Sequence, residues 1–162
     1  SSLTSTRSRP TETTSEPLCT GRFETASAYI DAGRRMPTEA SNWLQFAHDD
    51  LAAARTLLAD PDLPSRIACF HAQQAAEKAL KALLIASSIP FKKTHDLVVL
   101  AGLQDIDVSR ELDSVDLILL HPWAVEARYP GDLPDATDEE AALVVETAAT
   151  VFGIASRRIT SE

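Results

Sequence analysis

The densest group of side chains able to do chemistry lies in His71-Ala-Gln-Gln-Ala-Ala-Glu-Lys-Ala-Leu-Lys81. At about 3.6 residues per turn, His71, Gln74, Lys78 and Lys81 fall on one side of a helix, with Ala72, Ala76, Ala79, Leu80 and Leu83 on the side facing a core. An imidazole, an amide and two ammonium groups in a row are donors suited to phosphate or nucleotide recognition. The same row also fits a solvated polar face, with Glu77 and Lys81 as an i,i+4 pair worth roughly a few tenths of a kcal/mol. A second cluster, Phe91-Lys-Lys-Thr-His95-Asp-Leu97, follows Pro90 in a connection, where a rigid scaffold often positions binding residues. His95 and Asp96 equally suit the start of a short helix capped by Thr94. A third is Ala127-Arg-Tyr-Pro-Gly131, where Arg128 can clamp a phosphate and Tyr129 can stack on a base. Alternatively, Tyr129 covers the core and Arg128 pairs with a neighbour such as Glu126.

Other chemistries find no pattern. His48, His71, His95 and His121 lie on four separate segments without metal-ligand spacing, so no metal is expected. Cys69 reads as a small buried hydrophobe and Cys19 as a free thiol. No nucleophile-elbow motif is present, and nothing calls for a cofactor. Two cysteines make no disulfide framework and suit a reducing compartment, hence a cytoplasmic location. No apolar run approaches the ~18–20 residues needed to span a bilayer, and no signal peptide is apparent, so no membrane association is expected.

The 162-residue chain carries a net charge of −9, which argues against a protein that coats nucleic acid. The charge is uneven. Residues 104–146 hold twelve carboxylates against two arginines, whereas five basic side chains lie between residues 66 and 95. A local basic pocket on an acidic body is therefore compatible with the composition.

The elements that must position these groups are marked off by proline. Residues 1–37 form an expected flexible tail rich in Ser and Thr, with a short helix over 23–36 closed by Pro37. Residues 40–59 place Trp43, Ala47, Leu51, Ala54 and Leu58 on one stripe. Pro61 and Pro64 break the chain, and Ser65 is the expected cap of a helix over 66–87 that Pro90 stops. Thr94 is the expected cap of a short helix to about Leu103, and residues 109–127 carry Leu112, Val115, Leu119 and Trp123 on a stripe interrupted at Pro122. Thr137 and Glu140 have the spacing of a capping box for a last helix running through Val145, Ala148, Phe152 and Ile159. No convincing strand alternation appears. The expected fold is all-α, an antiparallel bundle of four to five helices over residues 38–160.

Four separated motifs then stand in a telling order: Trp43…Ala47-His-Asp-Asp-Leu51…Ala54…Leu57, His71 to Ala82, Lys93-Thr-His95-Asp-Leu97, and Ala127-Arg-Tyr-Pro130. Over about residues 40–159 the chain strongly resembles the HEPN domain family. The resemblance implies a bundle of about four core helices that usually dimerises, in small cytosolic prokaryotic proteins or modules of larger chains. Such proteins are often encoded beside a minimal nucleotidyltransferase in a toxin–antitoxin arrangement. Some branches are metal-independent endoribonucleases, and others have been proposed to bind nucleotides.

The ribonuclease branches use an Arg, four to six intervening residues and a His near the final helices, joined across a dimer. The His serves as general acid or base and the Arg stabilises phosphorane charge. Here the residues at those spacings after Arg128 are Leu133, Pro134 and Asp135, and no His follows His121. The matching spacing, Arg66 to His71, lies on the earlier helix, with the two side chains ~140° apart. The leading expectation is a HEPN-like homodimer that binds a nucleotide or a nucleotidyltransferase through His71, Gln74, Lys78, Lys81, Lys93, His95, Arg128 and Tyr129. The alternatives are an endoribonuclease toxin acting on RNA through His71 with Arg66 or Arg128, and a non-catalytic interaction module.

Overall fold

Pro37 opens the first helix, α1 (Pro37–Leu58), at the position where a missing N–H costs no helical hydrogen bond. The structure, a computed structural model, describes residues 37–124 and 135–160, all within the unit Arg35–Glu162. The expected tail and its short helix lie outside the described residues, as do Arg128, Tyr129 and the loop from Pro130 to Pro134.

The second helix, α2 (Ser65–Ala86), does not begin as the sequence suggests. Pro64 is its cap residue and supplies no side-chain hydrogen bond. Ser65 is already helical, and its hydroxyl donates to Asp138 Oδ1 at 2.7 Å. Asp135 does the capping from a distant part of the chain: its Oδ1 accepts from the Arg66 backbone N–H at 3.0 Å, and its Oδ2 from Arg66 Nη1 at 2.7 Å. Nor does Pro90 end the helix. The chain turns earlier through Ser88, at φ 55°, with Ser88 N–H donating to the Ile85 carbonyl and Ile89 N–H to the Leu84 carbonyl. That is a Schellman stop, with serine where glycine is usual.

Two short helices follow, α3 (Leu97–Gly102) and α4 (Ile106–Leu112). Asp96 caps α3 by accepting from the N–H groups of Val98 and Val99, while Thr94 accepts from Asp96 N–H. The carboxylate therefore displaces the threonine from its expected role. The stripe expected over 109–127 is broken as well. Ser114 Oγ donates to the Glu111 carbonyl, and Asp116 accepts from Ile118 N–H to start a 3-10 helix, Leu117–Ala124, that includes Pro122. These local side-chain bonds compete with a continuous helix. The last helix, α5 (Asp138–Thr160), carries the capping box as expected: Glu140 N–H donates to Thr137 Oγ1, and Thr137 N–H to Glu140.

The described residues thus form an all-helical bundle. Asp50 meets His71 and Lys78 while Trp43 meets Lys81, so α1 and α2 run antiparallel. By contrast, α2 and α5 start side by side at Ser65 and Asp138 and pack extensively, so these two run in the same direction. The intervening segment carries the chain back, so the bundle is all-α as expected, and a shared direction for its second and last long helices is what an antiparallel up-and-down bundle gives its alternate helices. The core between the three long helices holds Leu51, Leu80, Leu84 and Val151, extended by Leu97, Leu100 and Leu120 from the shorter elements. Gln104, also buried, donates to the carbonyls of Leu80 and Leu100 and ties the end of α3 to α2. No helix among the described residues is long and apolar enough to cross a membrane.

Candidate functional site

Helix α2 packs against α1, α3, α5 and the 3-10 helix, so little of its circumference meets solvent. Seven of its 22 residues are alanine, which lets neighbouring backbones approach closely. Its polar side is consequently enclosed. Gln73, Glu77 and Lys81 form an i, i+4, i+8 row in which Gln73 is fully buried, Glu77 is 4% exposed and Lys81 7%. Glu77 Oε1 accepts from Lys81 Nζ at 2.7 Å, and Oε2 from Gln73 Nε2 at 3.1 Å. His95, in the segment joining α2 to α3, places Nδ1 3.0 and 3.1 Å from the two Glu77 oxygens. A carboxylate can only accept, so this nitrogen carries the proton. Burial pushes the Glu77 carboxyl up, but the bonds from Lys81 and Gln73, the Lys81 charge and the bond from His95 outweigh it. Glu77 is therefore held below the usual carboxylate range. Lys81 also lies 5.7 Å from the centre of the Trp43 ring, a cation–π contact.

A second knot lies where α2 meets α1. Asp50 accepts from His71 Nδ1 at 3.0 Å through Oδ1 and from Lys78 Nζ through Oδ2. Gln74 links toward the first knot by donating to Gln73 Oε1 at 2.7 Å. Every polar residue expected on this face of α2 is thus present, but the four do not make one solvated row. Lys81 is part of the interior and Gln74 is used inside the helix, whereas His71 and Lys78 share an acid from another helix. The i,i+4 pair between Glu77 and Lys81 forms as expected, although buried. Asp50, Gln73 and Glu77 had no place in the sequence-derived site. Their signal was helical spacing: Asp50 is three residues after Ala47 and four before Ala54, both fully buried, so it borders the core stripe.

The remaining expected residues are dispersed. Lys93 is exposed and makes no ion pair among the described residues. Arg66 is exposed at the start of α2 on Asp135, while His71 is one and a half turns further on against α1, so the two are not brought together. Arg128 and Tyr129 lie outside the described residues. Cys69 is a buried free thiol, pushed up to about 12 by burial and then by the charge of Asp135. No group of three or more His, Cys, Asp or Glu side chains among the described residues is placed to hold a metal ion.

The architecture is that of a helical-bundle domain whose central helix carries one enclosed acid–base pair and shares a second, partly exposed one with α1. The family model of the HEPN domain matches residues 40–159, so the chain belongs to the HEPN domain family. Among solved structures it is similar to TT1696 from Thermus thermophilus, at 28% identity over 73% of this chain and 96% of that one, with a TM-score of 0.61. It is also similar in fold to ST0689, an archaeal HEPN homologue, at 23% identity over 74% of this chain and 97% of that one, with a TM-score of 0.54. No curated protein matches the chain.

Proposed function

We propose that this chain is a HEPN domain that works by binding and does not cut RNA. In this reading it forms a cytoplasmic homodimer that engages a nucleotide or a minimal nucleotidyltransferase partner, as one half of a prokaryotic toxin–antitoxin pair. The observation that carries the reading is the separate engagement of Arg66 by Asp135 and of His71 by Asp50. A ribonuclease needs its acid–base group and its phosphorane-stabilising cation around one scissile phosphate. Here the pair with the right spacing is committed to two different contacts on opposite sides of α2. His71 and Lys78 keep a partly exposed edge, and Lys93 and His95 are exposed on the adjoining segment, which suits ligand phosphates. Lys81, Gln74 and Glu77 support this edge from within. Arg128 and Tyr129 belong to the proposed ligand set by their chemistry, a guanidinium for phosphate and a ring for a base.

Isothermal titration of ATP and GTP into the purified chain tests the ligand half. Saturable heat at millimolar or tighter affinity, lost in Lys78→Met, is expected, and the absence of heat at millimolar nucleotide removes it. Co-expression with a nucleotidyltransferase encoded beside it tests the partner half through recovery of a complex of fixed stoichiometry. Growth arrest on expression alone, relieved by His71→Ala, would move the reading to the ribonuclease.

A further inference from the structure

The two acid–base knots on α2 differ in one respect that bears on ligand binding. The Glu77–Lys81 knot is sealed, whereas the Asp50 knot opens to solvent: the side chains of Asp50, Lys78 and His71 are 17%, 24% and 31% exposed. In that open knot two donors about two turns apart on α2 converge on the two oxygens of one planar anion, His71 Nδ1 on Oδ1 and Lys78 Nζ on Oδ2. Two oxygens of a phosphate group can accept the same pair of charge-assisted bonds. Asp49, the neighbouring acid, is turned away and among the described residues meets His48 and Gln45, both exposed.

We propose that Asp50 is a resident counter-anion occupying the seat of a ligand phosphate, so that binding exchanges its bonds to His71 and Lys78 for phosphate oxygens. The proposal rests on the nucleotide-binding reading and adds its regulation. The carboxylate keeps Lys78 neutralised in the empty protein, so singly charged anions, which offer no more charge than Asp50, do not displace it. A di- or polyphosphate carries more charge and more acceptor oxygens and does. The seat therefore selects for polyphosphate over carboxylate or chloride, and its affinity is set low by the competition.

Inorganic pyrophosphate is the probe, titrated calorimetrically into the full chain. Asp50→Asn removes the competing charge while keeping the side-chain size, and it should bind pyrophosphate ~10-fold or more tightly than wild type, about 1.4 kcal/mol. Adding Lys78→Met should abolish the gain. A folded Asp50→Asn variant with wild-type affinity, or a gain that survives Lys78→Met, overturns the exchange. If wild type still takes up ATP, the nucleotide-binding reading stands without it. No heat from wild type with either ATP or pyrophosphate overturns both. Should Asp50→Asn not fold, the wild-type imidazole signals decide: His71 should shift saturably with pyrophosphate while His48 and His121 stay fixed, and an unmoved His71 signal refutes the proposal.

Discussion

Replacing Glu77 by glutamine removes one charge from the most enclosed polar cluster in the domain while leaving its volume unchanged. Lys81, 7% exposed, would lose its counter-charge while keeping the Trp43 ring at 5.7 Å. The new amide also brings an N–H₂ group to a place where Glu77 accepts from Gln73 through Oε2 and from Lys81 through Oε1, with His95 Nδ1 against both oxygens. Whichever way the amide is turned, a donor faces a donor, and at least one bond of about 1 kcal/mol is lost. Breaking a buried ion pair from one side costs about 3–5 kcal/mol. The lysine stem gives its ammonium some freedom to move outward, so the lower end of that range applies, about 3 kcal/mol. At ~4 °C per kcal/mol for a domain of this size, the midpoint of thermal unfolding should fall by roughly 12 °C. Circular dichroism melts and urea titrations at neutral pH measure both quantities, with an unchanged urea slope expected. The double variant Glu77→Met/Lys81→Met should recover part of the loss, because it leaves no orphaned charge, while buried Gln73 still lacks its acceptor. A loss below about 1 kcal/mol for Glu77→Gln, or a double variant worse than either single one, refutes the assignment of this pair as a buried, mutually dependent unit.

Four further outcomes follow from the same geometry. Glu77 is held below the usual carboxylate range, so its stabilisation is complete above the unfolded value of about 4.3 and disappears as pH falls through the folded one. Urea midpoints of wild type should therefore drop more steeply than those of Glu77→Gln as pH is lowered past that point. Ser88→Gly should stabilise the chain by about 0.5–1 kcal/mol, since Ser88 holds a left-handed backbone at φ 55°; a destabilised variant would contradict the Schellman stop. Asp135→Ala should cost about 1–2 kcal/mol by uncapping α2, but Arg66→Ala, which removes only an exposed ion pair, should cost under about 1; equal losses in chemical denaturation would count against capping by Asp135. Cys69, pushed up to about 12, should stay unalkylated by iodoacetamide in native buffer at pH 8 and react fully in urea, as mapped by peptide mass.

The long helices were legible in sequence because their signals are local. Stripes at spacings of three and four, proline punctuation and the Thr137–Glu140 box place α1, α2 and α5 to within a few residues. The short elements were less legible because several polar residues competed for each role. Asp96 took the cap expected of Thr94, and Asp135, 69 positions from Arg66, took that expected of Ser65. No local reading ranks a cap that arrives from another part of the chain.

The site was legible in kind but not in state. Helical spacing put His71, Gln74, Lys78 and Lys81 on one side of α2, yet spacing on one helix cannot say which groups neighbouring helices bring to it. Charged side chains are rarely buried unless paired, so a row of cations reads as solvated until its acids are located. Those acids are Glu77, four residues before Lys81, and Asp50 on α1. Their positions also change the meaning of the five basic side chains between residues 66 and 95. Arg66, Lys78 and Lys81 each end on a carboxylate, whereas Lys92 and Lys93 make no ion pair among the described residues. The basic region is thus partly neutralised from within, and in the proposed exchange a phosphate takes over the Lys78 and His71 bonds that Asp50 holds. Affinity for polyphosphates should accordingly follow the charge at position 50 more closely than the net charge of the chain.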